Sequence, residues 1–266
     1  MKLLDIKETQ GILKDILNEV DVFCRENNLT YFLAYGSLIG AIRHKGFIPW
    51  DDDIDICMPR PDYERFIHSF SSKNQKYSIG SHVVDEKFPY FFAKVQDEST
   101  FLETKLTFNY TTGLYIDIFP IDGIPNEKKL QKNYIRKFHF YRHIYNLKSI
   151  TYRKDRNPFK NLFLMVSRAV TAFIPTKVLV KKIDKINQSY NYSETELVSI
   201  AATTDKRLIL EKGLFASGVK LEFEGLLFNV PSGYHEILER NYGNYMKLPP
   251  VEKRLSTHKI KDYLKD

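Results

Sequence analysis

The chain has 266 residues, 43% of them hydrophobic and 27% charged, with 40 Lys and Arg, 33 Asp and Glu and a net charge of +7. That is ample apolar material for one large domain, or a domain with an appendage, and it excludes a disordered chain. Cys24 and Cys57 are the only cysteines, which excludes a disulfide framework and makes a reducing cytoplasm the expected compartment.

The first residues lack the apolar core of a signal peptide. No run approaches the about 18 apolar residues of a spanning helix. The seven histidines are scattered without a cysteine set, which argues against zinc.

Residues 7–27 carry Leu13, Ile16, Leu17, Val20 and Phe23 or Cys24 at helical spacing, and Asn27-Asn28 are expected to end that helix. Thr30 to Tyr35 reads as a buried strand closed by a tight Gly36-Ser37 turn. Ser37 is expected to start a short helix, Leu38 to Arg43, whose N–H groups and positive dipole end favour a phosphate. Gly36 allows close backbone approach, and the Ser37 hydroxyl can donate to a phosphate oxygen. Arg43, His44 and Lys45 form a basic cluster that either holds nucleotide phosphates or offsets the acids that follow.

Those acids are the chain's most informative feature: Asp51-Asp52-Asp53-Ile54-Asp55-Ile56, directly after Trp50. Strand alternation places Asp53 and Asp55 on one face and the two isoleucines on the other. Gathered hard oxygen ligands suit Mg²⁺ or Mn²⁺. A solvated acidic loop is the plain alternative. The aliphatic residues that follow and the phosphate-type turn that precedes favour the metal. Alternation also turns Asp52 away from its neighbours, into a structural or solvent role.

A second helix is expected from Pro59-Arg60-Pro61-Asp62, burying Tyr63, Phe66, Ile67 and Phe70. Short strands follow around Tyr77 to Ile79, Phe91 to Gln96 and Phe101 to Thr104. The strand Leu114 to Ile118 sets Tyr115, Asp117 and Phe119 on one side. A lone Asp117 there is costly unless it binds metal or pairs with Lys94 or Arg43. Asp122, before Gly123, reads as a turn residue.

Residues 127–190 read as helical and basic. From Glu127 to Lys185 there are sixteen Lys and Arg against three acids, which leaves the rest of the chain mildly acidic. Such a patch can meet nucleic acid, an anionic membrane or an anionic polymer. Leu162 to Ile174 is its most apolar stretch, preceded by Lys154, Arg156 and Lys160 and followed by Lys177, Lys181 and Lys182. It is either a core helix or an interfacial helix drawn to anionic lipid. A hairpin, Lys220 to Phe223 and Leu226 to Val230, turns at Glu224-Gly225. A helix from Tyr234 to Tyr242 and an irregular tail complete the chain.

The stretch Tyr35-Gly36-Ser37-Leu38-Ile39-Gly40-Ala41-Ile42-Arg43-His44-Lys45-Gly46-Phe47-Ile48-Pro49-Trp50-Asp51-Asp52-Asp53-Ile54-Asp55-Ile56 closely resembles the LicD family. A second matching block is Tyr115 to Pro125, and a third, weaker one is Tyr242 to Pro250. The family comprises phosphocholine transferases and relatives in the nucleotidyltransferase superfamily, and its domain is shared with fukutin and fukutin-related protein. The resemblance implies an α+β fold with a nucleotidyltransferase-like, polymerase-beta-type mixed sheet flanked by helices, plus an additional basic helical region. Residues 1–126 would be the catalytic core, 127–190 the basic region facing acceptor or membrane, and 191–266 a hairpin and helix completing the core.

The same resemblance implies transfer of a phosphorylated group from a CDP conjugate such as CDP-choline to a sugar hydroxyl, aided by Mg²⁺ or Mn²⁺. Asp53, Asp55 and Asp117 match the catalytic metal ligands. Asp51 matches the first acid of the fukutin-type Asp-x-Asp-x-Asp motif and either binds metal or fixes the loop. Gly36, Ser37, Arg43, His44 and Lys45 would hold the nucleotide. Trp50 is either structural or a face for a quaternary ammonium. The implied acceptor is a lipid-linked precursor of teichoic acid, lipopolysaccharide or capsule at the inner face of the membrane. Polyol phosphates such as glycerol or ribitol phosphate are alternative cargoes. Transfer to nucleic acid and a non-catalytic membrane adaptor are more distant alternatives. No recognised nucleic-acid module is present, so no nucleic-acid partner is expected.

Overall fold

A computed structural model describes residues 2–72, 75–103, 110, 112–149, 157–200, 206–254 and 261–264. Thr104, Lys154 and Arg156, which figure in the expectations above, lie outside the described residues.

After β1 (Lys2–Leu3), Asp5 and Glu8 form a capping box that opens α1 (Ile6–Glu26). Its buried stripe includes Leu13, Ile16, Leu17, Val20 and Cys24, as the periodicity requires. Only Phe32–Leu33 pair as β2, fewer than the six residues expected. Tyr35 is the reason: its φ of 46° swings the chain directly into α2 (Tyr35–His44). The turn therefore comes one residue before Gly36-Ser37. Ala34 is the cap residue, Ser37 lies inside the helix, and no side chain caps it.

Next come β3 (Asp55–Pro59), α3 (Arg60–Ser69), β4 (Tyr77–Gly80), β5 (Ala93–Asp97), β6 (Thr100–Glu103) and β7 (Tyr115–Ile124). The helices α4 (Lys128–Ser149), α5 (Pro158–Thr171) and α6 (Thr176–Asn187) follow. The chain continues through β8 (Leu197–Ile200), β9 (Leu210–Glu211), the hairpin β10 (Gly218–Phe223) and β11 (Leu226–Pro231), α7 (Tyr234–Tyr242) and β12 (Lys261–Leu264). The tail is thus not wholly irregular: β12 pairs with both β1 and β6.

The fold is α+β, built on a seven-stranded mixed sheet in the order β2-β3-β7-β5-β4, with β8 and β9 continuing from β7. β7 organises it. Its first half pairs antiparallel with β5, its second half antiparallel with β8, and its other edge parallel with β3. One sheet face carries Ile56, Ile116, Ile118, Ala93 and Val95, packed against the apolar stripes of α1 and α3. Phe223, Phe228 and Val230 of the hairpin enter the same core. A second core joins α4 and α6 around Phe138, Tyr145, Val180 and Ile183.

Asp122 is not a turn residue. It lies within β7 opposite Ser199, fully buried, and accepts two hydrogen bonds from Arg60, at 2.6 Å from Nε and 2.8 Å from Nη2. The Asp-Gly signal misled because Gly123 serves another end: a Cβ there would meet Thr195 Oγ1 at 2.6 Å and the Tyr190 carbonyl at 2.8 Å. The core-helix reading of residues 162–174 also fails. α5 buries Asn161 and Thr171 and leaves Phe159, Phe163 and Val170 exposed. No single helix among the described residues is long and apolar enough to cross a membrane.

Candidate active site

Asp55 opens β3 and sits beside Asp117 of β7 in parallel register. Lys94 of β5 faces Asp117 from the other side. Laterally paired strand residues share a face, so Asp55, Asp117 and Lys94 form one row across three strands. Both acids are held by the backbone. Asp55 N–H donates to Ser37 Oγ at 2.9 Å, Asp55 O accepts from Ala34 N–H at 2.9 Å, and Asp117 N–H donates to Ile54 O at 2.9 Å. Ser37 therefore accepts a bond from the strand rather than capping its helix. A hydroxyl that accepts one bond still has its proton to give.

Residues 51–54 are irregular, so strand alternation governs only from Asp55 onward. That corrects the expectation for Asp52. The ligand atoms of Asp51, Asp52 and Asp53 all lie within 4.8 Å of one another, so Asp52 joins its neighbours. A cavity of about 40 Å³ is lined by Asp52, Asp53, Asp117 and Asp262 together with Leu102, Leu114 and Tyr115. It has room for a small ion or a few waters. Every charged group lining it is a carboxylate, the donor chemistry that Mg²⁺ and Mn²⁺ take. The residues thus fit a divalent cation.

Electrostatics agree with that crowding. Burial first, then the negative charges of Asp53 and Asp117, drive the Asp55 carboxyl well above the ordinary range, and the Lys94 ammonium relieves only part of this. Lys94 is buried, ion-paired with Asp117, and lies 3.4 Å from the Tyr115 ring centroid. Burial likewise raises Asp262; the Thr9 hydroxyl that donates to it opposes this, and the nearby Asp52 charge adds to it.

The Gly36 position is tightly occupied. A Cβ there would lie 2.8 Å from Asp51 Oδ2. Asp51 is fixed further by Gln10 Nε2, which donates to its carbonyl at 2.8 Å. Tyr35, in the left-handed region before helical residues, creates a run of backbone N–H groups of the kind that cradles anions.

The basic cluster is partly committed. Arg43 donates from Nη1 to the Tyr245 carbonyl and from Nε to His44 Nε2, both at 2.8 Å. Burial and the adjoining Arg43 charge pull His44 below the usual imidazole value. With Nε2 accepting, His44 is a neutral imidazole with its proton on Nδ1. Lys45 reaches Glu222 at 3.4 Å. The hairpin turn clamps this loop, Glu224 donating its N–H to Lys45 O at 2.8 Å and accepting from Phe47 N–H at 3.1 Å. Trp50 packs on the main core, and the Arg254 guanidinium stands 5.7 Å from its ring centre.

Two basic groups escaped the motif reading in their present roles. Lys94 appeared only as one of two partners for Asp117, yet the register seats it in the acid row. Arg142 of α4 lies over the Phe91 ring at 4.7 Å and near the Tyr35 phenol. Burial lowers its pKa, and no acid pairs with it among the described residues. Nothing local marks it, because it is one of many cations in a basic helix. Tyr242, from the weakest motif block, is also brought to the site: desolvation and then the charges of Asp55, Asp51 and Asp53 raise its phenol.

Residues 28–170 match the family model described as LicD/FKTN/FKRP, nucleotidyltransferase domain. The chain belongs to this LicD family. Its acid row, the Gly36-Ser37 helix and part of the basic helical region all fall within the matched span. The likeness extends over the whole chain in one LicD relative, the lipopolysaccharide cholinephosphotransferase LicD of Haemophilus influenzae. The two are 30% identical over 270 residues, covering 99% of this chain and 100% of that protein. An uncharacterised protein of Rickettsia typhi is 37% identical over 67 residues, 25% of this chain and 22% of its own. One of Rickettsia prowazekii is 38% identical over 50 residues, 19% of each chain.

Proposed function

We propose that this LicD-family chain is a polymerase-beta-type nucleotidyltransferase fold turned to phosphotransfer. It moves phosphocholine from CDP-choline to a sugar hydroxyl of a lipopolysaccharide, teichoic acid or capsule precursor, at the cytoplasmic face of the membrane. The supporting observation is the end-to-end likeness to a cholinephosphotransferase in a chain that sets Asp55 and Asp117 side by side. Asp51, Asp53, Asp55 and Asp117 would hold Mg²⁺ or Mn²⁺. When bound, such a cation neutralises charge on the diphosphate and orients it.

The chain's own groups do the rest. Backbone N–H groups at the start of α2, with the Ser37 hydroxyl, receive the phosphates. Arg142, and Arg43, His44 and Lys45 nearer the loop, add cations or donors along the nucleotide. The sugar oxygen attacks the phosphorus that carries choline. The phosphoanhydride P–O bond breaks, CMP leaves, and the hydroxyl proton passes to a carboxylate of the row, Asp117 being suitably placed.

Polyol phosphate is the second reading, favoured by one observation: Arg254 already covers the Trp50 ring that a quaternary ammonium would seek. Incubation with CDP-choline, CDP-glycerol and CDP-ribitol, each with Mg²⁺ and a lipopolysaccharide or teichoic acid precursor, decides between them. CMP release from CDP-choline alone supports the first reading. Release only from a polyol conjugate replaces it.

A further inference from the structure

A surface helix ordinarily turns its apolar stripe to the core. α5 does the reverse. Phe159, Leu162, Phe163, Val166 and Val170 recur at i, i+3, i+4, i+7 and i+11, which is one stripe of a 3.6-residue helix, and Phe173 follows just past the helix end at Thr171. Phe159 is 82% and Phe173 90% exposed, and the other four are more than half exposed. The side turned inward carries buried Asn161 and Thr171. Thr171 Oγ1 donates to Ser167 O at 2.9 Å, and its carbonyl accepts from Lys148 of α4 at 2.9 Å. The polar side is therefore built into the protein, and the apolar side is offered to something else.

Charge selects the occupant. Between Asp155 and Asp184 the sequence has six cations and no acid, including Lys160 and Arg168 within α5 and Lys177 just beyond it. A second copy docking through the same face would bring those cations against their own kind. An anionic lipid surface has the opposite charge and an apolar interior that accepts aromatic and aliphatic side chains.

We infer that α5 is an interfacial helix that seats the protein on an anionic phospholipid surface. Its apolar stripe enters the acyl boundary while Lys160 and Arg168 meet the headgroups; Lys177 is already paired with Glu86 at 3.4 Å. That this seat brings the acid row to a lipid-anchored acceptor rests on the transferase reading. The seat itself does not.

The test is cosedimentation of the full chain with vesicles of phosphatidylethanolamine containing phosphatidylglycerol, and with vesicles of phosphatidylcholine. No nucleotide is present, so failure of the transferase reading would leave the result untouched. Wild type is expected to pellet with the anionic vesicles and largely not with the neutral ones. A Phe163→Ser, Val166→Ser, Val170→Ser variant loses roughly tenfold or more in partitioning. Its melting temperature stays unchanged, because all three side chains are exposed. A Lys160→Gln, Arg168→Gln variant loses severalfold on anionic vesicles. The inference is overturned if wild type stays in the supernatant or if the serine variant pellets as well as wild type. It is equally overturned if wild type sediments as a dimer that the serine variant converts to a monomer.

Discussion

Asp55 and Asp117 occupy matching positions on adjacent parallel strands, and Lys94 completes their row from the antiparallel neighbour. Two carboxylates so placed repel, and the burial of Asp55 sharpens the repulsion. The fold tolerates the pair because one buried ammonium is inserted beside it, screened from water by the Tyr90, Phe92 and Tyr115 rings. A bound divalent cation would supply far more positive charge to the same row.

Lys94→Met keeps the bulk of that side chain and removes its charge. The expected loss is about 3 kcal/mol, the low end for breaking a buried pair because Asp117 keeps some solvent contact. For a chain of this size that lowers Tm by roughly 5–10 °C. Added Mg²⁺ should then raise Tm more in the variant than in wild type, by mass action on a more anionic site. Thermal melting with and without Mg²⁺ measures both effects. Equal Mg²⁺ increments would count against a cation in this row.

Asp55→Asn separates stability from activity. The amide removes a half-buried charge that its neighbours oppose, so the urea midpoint should stay level or rise. CMP release should fall by about a thousandfold, as when a group that steadies transition-state charge is lost. A variant that turns over normally would remove Asp55 from the machinery.

Much of this arrangement was legible because two strong local patterns crossed. Alternation in residues 115–119 set Asp117 with Tyr115 and Phe119, and the aliphatic run after Asp55 fixed a buried strand. The hairpin at Glu224-Gly225 and the helix from Tyr234 to Tyr242 were equally readable, since turn chemistry and periodicity are local. What stayed hidden depends on partners far along the chain. Lys94 and Arg142 look like any other cations until strand register and helix packing place them. Tyr35 gave no sign that it would adopt a positive φ, so the turn was set one residue late. Asp122 looked like a turn because its partner, Arg60, lies 62 residues away.

Two glycines should respond differently to alanine. At Gly36 the added Cβ meets only the end of the Asp51 side chain, which can swing aside, so stability should change by less than about 1 kcal/mol. Catalysis should fall roughly tenfold or more, because Asp51 leaves its place. At Gly40 the Cβ would lie 2.4 Å from the Gly46 carbonyl, which is backbone. There the cost should be about 1–3 kcal/mol in unfolding free energy. Denaturant titration and turnover of both variants form the check.

Arg60 ties three elements together: its own α3, β7 through Asp122, and α6 through Asp184 at 3.2 Å. The two aspartates hold its guanidinium firmly charged against burial. Asp122→Ala removes the bidentate partner of that buried cation, leaving it Asp184 at 3.2 Å and the partly exposed Glu64 at 2.9 Å, and should cost about 3 kcal/mol. A double replacement, Arg60→Met with Asp122→Leu, should recover part of the loss, because it leaves no orphaned charge in that pair. If the double variant is no better than the single one, the cost comes from packing rather than from charge.

Asp21 gives a pH signature away from the candidate site. Burial alone would raise its pKa. The Tyr31 hydroxyl at 2.6 Å, Arg25 Nε at 2.8 Å and Lys220 Nζ at 3.2 Å outweigh burial and hold it below the usual value. A carboxyl with a depressed folded pKa contributes stability above its unfolded pKa of about 4. That contribution is lost as pH falls through the lower, folded value. Asp21→Asn should therefore be destabilising at pH 7, and the gap to wild type should close progressively below about pH 4. Urea midpoints of both proteins across pH 3–7 provide the comparison. A gap of constant size would mean that Asp21 acts through its shape, as a hydrogen-bond acceptor that asparagine only half replaces, and not through the charge that Arg25 and Lys220 share.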